Sequence, residues 1–424
     1  MKKVCLITLG CPRNTVDSEV MAEIISRGDY IFTAHPEEAD VVLINTCCFI
    51  KSAEQESLDK ILEIAGLKRN GKPEEFIVFG CLVERYKEEL KNLISEVDYL
   101  YGVEKFSEIA SHFKIEGKFG NYKRKFSFFK HFAYIKISEG CDSECSYCIV
   151  PKIRGKYRSR YPEDILDEAQ KLAESGAKEL ILIAEDTASY GKDLKNGFDL
   201  GYILRGLDKI EEIEWLRIMY IHPARLSEKI LDDISSTDKV CRYLDIPLQH
   251  ISNKILKDMR RKISKVEIIN LIEKIKSKMP ETALRTTFIV GYPGETEKDF
   301  NELYNFVKEA EFDRLGVFKY SKEKGTDAYE RKNHIPEKIK DERYHKIMML
   351  QSGISLKKNR KLIGKKLKVL IDSFDFNDDI SIGRTEIDAP EIDNSVIIKG
   401  KVDPGNLVEA EIKDAKEYDI FGEL

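Results

Sequence analysis

The sequence predicts an α/β protein with three domains: a doubly wound parallel sheet, a partial barrel of six βα units and a small all-β barrel. Three observations support this order. Apolar strand-like runs alternate with helical patterns at the start of the chain, the alternation repeats in the middle, and short strands separated by turns fill the end. The predicted domains are 1–115, 130–358 and 361–424.

The first domain contains three short apolar runs, which predict buried strands of a parallel sheet: Val4–Leu9, Val41–Ile44 and Phe76–Phe79. Between them, apolar residues recur every three or four positions and predict helices over Asp17–Ser26, Ser52–Leu67 and Val83–Ile94. Residues 114–131 carry six basic side chains, one acidic side chain and two glycines, and we interpret them as a linker.

The middle domain repeats a strand and a helix about six times, which favours an open, partial barrel over the eight units of a closed one. The helix Glu163–Gly176 illustrates the pattern, because Pro162 lies at its first turn and Gly176 ends it. A charged helical stretch, Lys338–Lys361, follows the last unit. The predicted strands are Phe132–Ser138, Glu179–Glu185, Trp215–Ile221, Tyr243–Leu248, Leu284–Val290 and Arg314–Tyr320.

The last domain has short strands with turn signals between them, such as Asp403-Pro404-Gly405, and these predict a small all-β barrel. From Lys361 to Leu424 there are 9 basic and 15 acidic side chains, a net charge of −6 against −5 for the whole chain. The negative charge is therefore concentrated in this domain. Its predicted strands are Lys366–Ile371, Ile380–Gly383, Ser395–Lys399 and Leu407–Ile412.

The composition excludes several classes of protein. With 70 basic and 75 acidic residues, the chain is not a polybasic protein that coats nucleic acid or a membrane by charge alone. No apolar run approaches the roughly 18–20 residues that span a bilayer, and the apolar start stops at Gly10 without a signal cleavage site. We therefore expect a cytoplasmic chain without membrane contact. Nine cysteines, an odd number, argue against a disulfide framework in such a chain.

The strongest chemical signal is a CxxxCxxC motif formed by Cys141, Cys145 and Cys148, directly after the first strand of the middle domain. Three thiolates at this spacing can bind three irons of a cubane cluster and leave the fourth iron open. A zinc site is the alternative, but such sites normally take four ligands in paired knuckles. No fourth cysteine or histidine lies near the motif.

A second constellation comprises Cys11, Cys47 and Cys81, each just past the end of a predicted strand of the first domain. Because parallel strands gather their ligands at the carboxyl edge of the sheet, the three thiols should converge in a second three-cysteine site. The alternative, that cysteines serve as small buried apolar residues, suits Cys5 and Cys241 better. Cys48 competes with Cys47, and only one of two adjacent residues can point into the site.

A partial barrel that opens with CxxxCxxC resembles the radical-SAM superfamily, and Tyr147 before the last cysteine agrees with its consensus. The resemblance implies that the open iron binds S-adenosylmethionine (SAM), whose reductive cleavage yields a 5′-deoxyadenosyl radical. Gly291-Tyr-Pro-Gly294-Glu295 is expected to approach the adenine and methionine of SAM, and Glu185 its amino group. Taken alone, these segments would be an ordinary strand-to-helix turn and a polar strand end.

The whole chain is similar to the methylthiotransferase family. The resemblance rests on Leu9-Gly-Cys11-Pro-Arg-Asn14, Asn45-Thr-Cys47, Gly80-Cys81-Leu, the CxxxCxxC motif, and a last domain like the TRAM domain. It implies a Rossmann-like first domain with an auxiliary 4Fe-4S cluster and a radical-SAM core with a second one. It also implies that one SAM methylates sulfur at the auxiliary cluster, and that a second SAM yields the radical that abstracts a substrate hydrogen.

One branch of this family modifies the β-carbon of an aspartate in protein twelve of the small ribosomal subunit, and another modifies an adenosine of tRNA. Several segments resemble the first branch, although Arg13 replaces a commoner lysine. They are Cys11-Pro-Arg-Asn14, the Cys-Phe-Ile that follows Cys47, Pro247-Leu-Gln249-His250, Asp186-Thr-Ala-Ser-Tyr-Gly191 and Gly383-Arg-Thr-Glu-Ile-Asp388-Ala-Pro-Glu391.

The charge of the last domain gives an independent argument on the partner. A domain that grips tRNA should be basic, whereas an acidic barrel attracts a basic ribosomal protein. We expect acids such as Asp388, Glu391 and Asp393 to contribute. The expected partners are therefore this ribosomal protein, free or in the assembled small subunit, and an external electron donor, without direct tRNA binding. A solvated acidic surface without a partner is the alternative.

Three other functions are compatible with parts of the sequence. The nearest is the tRNA adenosine methylthiotransferase. A cobalamin-dependent radical-SAM methylase also has a Rossmann-like first domain, but that domain usually carries Asp-x-His, and none of the seven histidines here follows that pattern. The third is a non-enzymatic iron–sulfur or zinc scaffold that docks on the ribosome, and it would not cleave SAM.

Overall fold

The computed structural model describes residues 1–117, 124, 131–195 and 197–424. It confirms the predicted fold class, with a parallel sheet first, a six-stranded partial barrel next and a closed β-barrel last. Most of the expected linker, 114–131, lies outside the described residues. In the part of the chain that the structure describes, no helix combines the length and apolarity needed to cross a membrane.

The first domain is a five-stranded parallel sheet with the strand order β2-β1-β3-β4-β5. The sequence did not predict its edge strands β2 and β5, because each has only three residues and is largely exposed, so neither forms an apolar run. The strands are β1 (Lys2–Thr8), β2 (Tyr30–Phe32), β3 (Val41–Thr46), β4 (Glu75–Gly80) and β5 (Tyr99–Tyr101), and the helices are α1 (Pro12–Ile25), α2 (Lys51–Arg69), α3 (Cys81–Leu93) and α4 (Phe106–His112).

The middle domain contains all six predicted strands: β6 (Phe132–Lys136), β9 (Glu179–Ile183), β10 (Trp215–Ile218), β11 (Tyr243–Asp245), β12 (Ala283–Val290) and β13 (Arg314–Lys319). A short hairpin pairs β7 (Ser138–Glu139) with β8 (Arg158–Ser159). The helices are α5 (Val150–Arg154), α6 (Pro162–Glu174), α7 (Leu200–Leu207), α8 (Glu228–Ser235), α9 (Asn253–Asp258), α10 (Lys265–Lys278), α11 (Glu297–Ala310) and α12 (Glu337–Asn359).

The barrel is open because its six strands form two three-stranded parallel sheets, β6-β9-β10 and β11-β12-β13. A single parallel bridge between Leu216 and Val240 joins them. Helix α1 of the first domain packs against the outer strand β6, and α12 packs against the outer strand β13. Each open edge is therefore covered by a helix.

The last domain is a closed barrel in the order β14-β15-β16-β18-β17. The sequence predicted four of its strands. The fifth, β18, pairs in parallel with β16 and antiparallel with β17, and so closes the barrel. The strands are β14 (Lys366–Asp375), β15 (Ile380–Arg384), β16 (Ser395–Lys399), β17 (Leu407–Ala415) and β18 (Asp419–Glu423).

A docking loop, residues 385–394, covers the amino-terminal ends of the middle-domain strands. Next to it, Arg217 of β10 donates to Glu179 of β9 at 2.6 Å, and both side chains are fully buried. Arg384, the last residue of β15, donates to the same carboxylate. Within the loop, the Glu386 carbonyl accepts a hydrogen bond from Arg217 at 2.8 Å. Charged groups therefore join the last domain to the middle one.

This docking corrects the expected role of two acidic residues. Asp388 is buried and accepts a hydrogen bond from Arg314 Nε at 2.6 Å. Asp393 accepts one from the Tyr243 hydroxyl at 2.7 Å and pairs with Arg285. The expectation that Asp388 and Asp393 attract a basic partner is therefore wrong, because both are used inside the molecule. The count of charges predicted an acidic domain, but it contained no information on which acids face the solvent.

We predict that Asp388→Ala destabilises the whole chain by about 3–5 kcal/mol, because it leaves the Arg314 guanidinium, only 6% exposed, without its carboxylate. Asp378→Ala, at the exposed turn after β14, should change stability by no more than about 0.5 kcal/mol. Thermal unfolding of the full chain measures both variants. Equal midpoints for the two variants would contradict the assignment of Asp388 to the domain interface.

Candidate functional site

The first triplet, Cys11, Cys47 and Cys81, lies at the carboxyl edge of the first sheet. Cys11 is the N-cap of α1, three residues after β1; Cys47 directly follows β3; and Cys81 begins α3, directly after β4. Because β1, β3 and β4 are neighbours in this parallel sheet, the structure brings the three cysteines together, as the sequence predicts.

Two glycines with positive φ make this arrangement possible. Gly10 has a φ of 95°, and a Cβ placed on it would lie 2.8 Å from the sulfur of Cys47. Gly80 has a φ of 98°, and its added Cβ would lie 2.5 Å from Asn45 Oδ1. Neither position accepts a side chain, since both the conformation and the space require glycine. The close approach of Gly10 shows that Cys47 faces the Cys11 loop.

Asn14 and Asn45 hold the ends of β1 and β3 against each other. The Asn14 amide donates to the carbonyls of Leu9 at 2.7 Å and Thr46 at 3.0 Å, and the Asn45 amide donates to the Asn14 carbonyl at 2.9 Å. Both side chains are buried. Both lie within the sequence motifs of the first domain, but the motifs alone predict no role for these side chains. They fix the loops that carry two members of the first triplet.

Cys47 and Cys48 point in different directions. The Cys48 thiol donates to the Cys81 carbonyl at 3.1 Å and packs in the apolar core of the first domain. Burial raises the pKa of the Cys48 thiol well above its usual range. Cys47 instead lies against Gly10, beside Cys11. This geometry supports Cys47 as the member of the triplet.

The second triplet, Cys141, Cys145 and Cys148, occupies a loop that folds back on itself. Gly140, with a φ of 75°, lies close to the later part of the same loop. A Cβ added to it would lie 2.7 Å from the Gly155 carbonyl. The backbone N–H of Cys148 donates to the Cys145 carbonyl at 3.0 Å. The three cysteines therefore lie in one compact loop at the carboxyl end of the barrel, following β6 and β7.

Each triplet has an arginine that donates to one of its sulfurs. Arg154 Nη2 lies 3.4 Å from the sulfur of Cys81, and Arg261 Nη1 lies 3.8 Å from the sulfur of Cys145. Arg154 opposes the effect of burial on Cys81, although burial still raises the pKa of that thiol above its usual value. Once the thiols are deprotonated by metal binding, each guanidinium would offset the negative charge of the sulfur beside it. The sequence did not identify either arginine, because each lies far along the chain from the cysteine it contacts.

Arg154 also belongs to a buried network that links the first two domains. It donates to Asn14 Oδ1 at 2.8 Å and to Glu139 Oε1 at 2.9 Å. Lys136 donates to the same Glu139 and to Asp17, each at 2.6 Å. Lys136, Glu139 and Arg154 belong to the middle domain, whereas Asn14 and Asp17 belong to α1. Side chains of both domains therefore meet between the two triplets.

Glu185, predicted to hold the amino group of SAM, lies between basic side chains at the end of β9. Its carboxylate, 4% exposed, lies 3.5 Å from Arg13 Nε and 4.0 Å from Arg154 Nε. Among the described residues, neither oxygen has a hydrogen-bond partner. Burial raises the pKa of Glu185 to about 7, although Arg13 and Arg154 oppose this. A buried carboxylate without a donor is suited to receive an ammonium group from a ligand.

The other residues predicted to contact SAM have packing roles of their own. Tyr147 packs beside Tyr292 and Met259, next to the second triplet. A Cβ on Gly291 would lie 3.0 Å from Lys340 Cδ, and one on Gly294 would lie 2.5 Å from Asn333 Nδ2. Gly291 and Gly294 also have φ values of 73° and 86°, so the backbone conformation favours glycine at both positions, and their contact with SAM stays a prediction.

The residues present suit two cubane clusters. Close-packed glycines and hydrogen-bonding arginines lie beside both sets of three thiols. A cubane binds each thiolate through a different iron. Among the described residues, no three His, Cys, Asp or Glu side chains are arranged to hold a single metal ion. Three thiolates on three irons stand further apart than the ligands of one ion.

Three family models match the chain, one for each domain. Residues 3–102 match the family described as Uncharacterized protein family UPF0004, residues 135–307 match the Radical SAM superfamily, and residues 363–424 match the TRAM domain. Both cysteine triplets lie within the first two matches.

Curated relatives match over their full length. Two proteins named ribosomal protein uS12 methylthiotransferase RimO, from Clostridioides difficile and Thermodesulfovibrio yellowstonii, are 46% and 45% identical, over 100% of this chain and 99% of theirs. One from Aquifex aeolicus is 43% identical over 99% of this chain and 96% of its own.

Solved structures share the fold. The radical SAM methyltransferase TsrM from Kitasatospora setae has a TM-score of 0.58 at 12% identity, covering 75% of each chain. The cobalamin-dependent radical enzyme OxsB has a TM-score of 0.53 at 13% identity, covering 83% of this chain and 56% of its own.

We predict that alkylation of the cluster-free chain by iodoacetamide modifies Cys11 first. Burial raises the pKa of Cys11, but Arg13, Arg154 and the backbone N–H groups of Asn14 and Arg13 together lower the pKa below its usual value, and the residue is partly exposed. Cys48 and Cys241 should react only on unfolding, because both are buried and burial raises their pKa. Timed peptide mass spectrometry checks the order, and early modification of Cys48 would contradict it.

Proposed function

Since this chain belongs to the RimO family of radical-SAM methylthiotransferases, we propose that it transfers a methylthio group to the β-carbon of an aspartate in ribosomal protein uS12. The observation that carries this proposal is the 46% identity to a uS12 methylthiotransferase across the whole chain. The site agrees with it, because methylthio transfer needs two cofactor centres close together and the chain brings two cysteine triplets to adjoining sheet edges.

The first triplet would hold the auxiliary 4Fe-4S cluster, and the second triplet the 4Fe-4S cluster that binds SAM. When bound, these groups supply the radical that abstracts the substrate hydrogen and the methylthio group that replaces it. Arg154 and Arg261 offset the negative charge of the sulfurs that they contact. Glu185 would receive the amino group of SAM, since its buried oxygens accept no hydrogen bond from the part of the chain that the structure describes.

The acidic barrel would attract uS12, either free or in the small subunit, and would not bind tRNA. With Asp388 used in the domain interface, the attraction falls to exposed acids such as Asp378 and Asp379 at the turn after β14. Phe376, 81% exposed, lies beside them and offers an apolar contact. The electrons would come from an external donor.

We predict about eight irons per chain after anaerobic reconstitution, and about four when Cys141, Cys145 and Cys148 are all changed to alanine. Cys47→Ala should also fall to about four, because that thiol faces Cys11, whereas the matched control Cys48→Ala should keep about eight. Iron analysis with electron paramagnetic resonance checks each count. A wild-type count near four irons would contradict the auxiliary cluster. Loss of iron in Cys48→Ala but not in Cys47→Ala would identify Cys48 as the ligand.

We predict that the reconstituted enzyme, given SAM, a sulfur source and a reductant, methylthiolates uS12 and leaves tRNA unchanged. Mass spectrometry of both substrates checks the product. Binding of uS12 should weaken as salt rises, since the Debye length is about 8 Å at physiological ionic strength, and also in the double variant Asp378→Asn, Asp379→Asn. If tRNA is modified and uS12 is not, the substrate of this chain would be tRNA, as in the other branch of the family.

A further inference from the structure

Arg13 belongs to the first domain, but its side chain extends onto the middle domain. It is the second residue of α1, two positions after Cys11. Its Nη1 donates to the Ala184 carbonyl at 3.2 Å, just past the end of β9, and its guanidinium lies 5.6 Å from the centre of the Tyr220 ring, just past β10. A cation from one domain therefore reaches the carboxyl end of the barrel in the other.

The guanidinium lies close to the chain segments that carry both triplets. Arg13 follows Cys11 of the first triplet by two residues, and its side chain contacts Ala184 and Glu185 at the carboxyl end of the barrel, where the loop of the second triplet also lies. Its side chain is 14% exposed. Arg13 therefore occupies the region between the two predicted clusters, where a substrate carbon must lie to receive both a radical and a methylthio group.

Arg13 and Glu185 form an ion pair, with 3.5 Å between the Arg13 Nε and Glu185 Oε1. Among the residues that the structure describes, neither that Nε nor either Glu185 oxygen also has a hydrogen-bond partner. Buried polar groups are normally hydrogen-bonded, so this long ion pair leaves hydrogen-bonding capacity on both groups for a ligand that carries a donor and an acceptor. Tyr220 adds strain at the same place, because it is a non-glycine residue with a φ of 60°.

We propose that Arg13 binds the side-chain carboxylate of the substrate aspartate and so positions its β-carbon between the two clusters. This inference rests on the proposed function. The carboxylate is attached to the carbon that reacts, and it would enter a buried region that already holds Glu185 and the sulfurs of two triplets. A negative group enters such a region only with a cation, and arginine binds carboxylates through two parallel hydrogen bonds.

Two other roles would use the same cation. Arg13 could serve only to balance the charge of Glu185 and the clusters, or it could bind the carboxylate of SAM. The first role predicts a loss of cluster when Arg13 is removed. The second predicts weaker binding of SAM with unchanged binding of uS12. These outcomes distinguish binding of the uS12 carboxylate from binding of the SAM carboxylate and from charge balance alone.

The test measures the affinity of uS12, and of uS12 with its target aspartate changed to asparagine, for reconstituted wild-type, Arg13→Met and Arg13→Lys enzymes. Arg13→Met should bind wild-type uS12 about tenfold more weakly, the loss expected for one charged hydrogen-bonded contact, and should bind the asparagine form as the wild-type enzyme does. Arg13→Lys should retain part of the preference for aspartate. Iron content and SAM affinity should stay unchanged.

Arg27→Met is the matched control, since Arg27 follows α1 but lies beside Lys2, at the opposite edge of the sheet. It should behave as the wild type. Equal losses for both forms of uS12, no loss at all, or a loss confined to SAM would each overturn the proposal. If Arg13→Met loses its iron, the cluster-free wild-type and Arg13→Met chains are compared. Equal affinity of both chains for the aspartate form of uS12 would assign Arg13 to charge balance and overturn the proposal, and weaker binding of that form by cluster-free Arg13→Met alone would support it. Failure of the wild-type enzyme to modify uS12 would instead refute the proposed function.

Discussion

The structure depends on a buried ionic network between the first two domains, centred on Arg154. This side chain, 3% exposed, contacts the sulfur of Cys81, the amide of Asn14 and the carboxylate of Glu139. Lys136 satisfies the other oxygen of Glu139 and binds Asp17. Since a buried charge without its partner is costly, the two domains can dock in only one register without leaving charges unpaired. That register fixes the position of one cysteine triplet relative to the other.

Sequence reasoning predicted the six barrel strands and the convergence of Cys11, Cys47 and Cys81, because both follow from local periodicity and from one rule about parallel sheets. It could not predict Arg154, because the contact that gives this residue its role joins positions 73 residues apart in the chain. Asp388 was misinterpreted for a related reason, since a count of charges contains no information on burial. The short strands β2 and β5 were missed because edge strands are partly exposed and lack an apolar run.

The last domain is attached by charges rather than by an apolar surface alone. Glu179 accepts from both Arg217 and Arg384, and Asp372 pairs with Arg384 and with His131. Among the acids of this domain, Asp372, Asp388 and Asp393 pair with residues of the middle domain at the amino-terminal side of the barrel. Other acids of the domain remain exposed, among them Asp378 and Asp379 at the turn after β14. The same excess of acid thus contributes both to docking and to the surface that a basic protein would meet.

Buried ion pairs are weak contributors to stability, and apolar replacements of similar volume are often as stable or more so. The buried ion pairs at the domain interfaces therefore need an explanation other than stability. Arg13 and Glu185 form an ion pair at 3.5 Å, and among the described residues neither the Arg13 Nε nor the Glu185 oxygens have a hydrogen-bond partner. An apolar interface would dock the domains equally well, but it would present no directed donor and acceptor there. The network thus holds two triplets at a fixed separation and leaves two polar groups available between them, which is the arrangement that a polar substrate and SAM require.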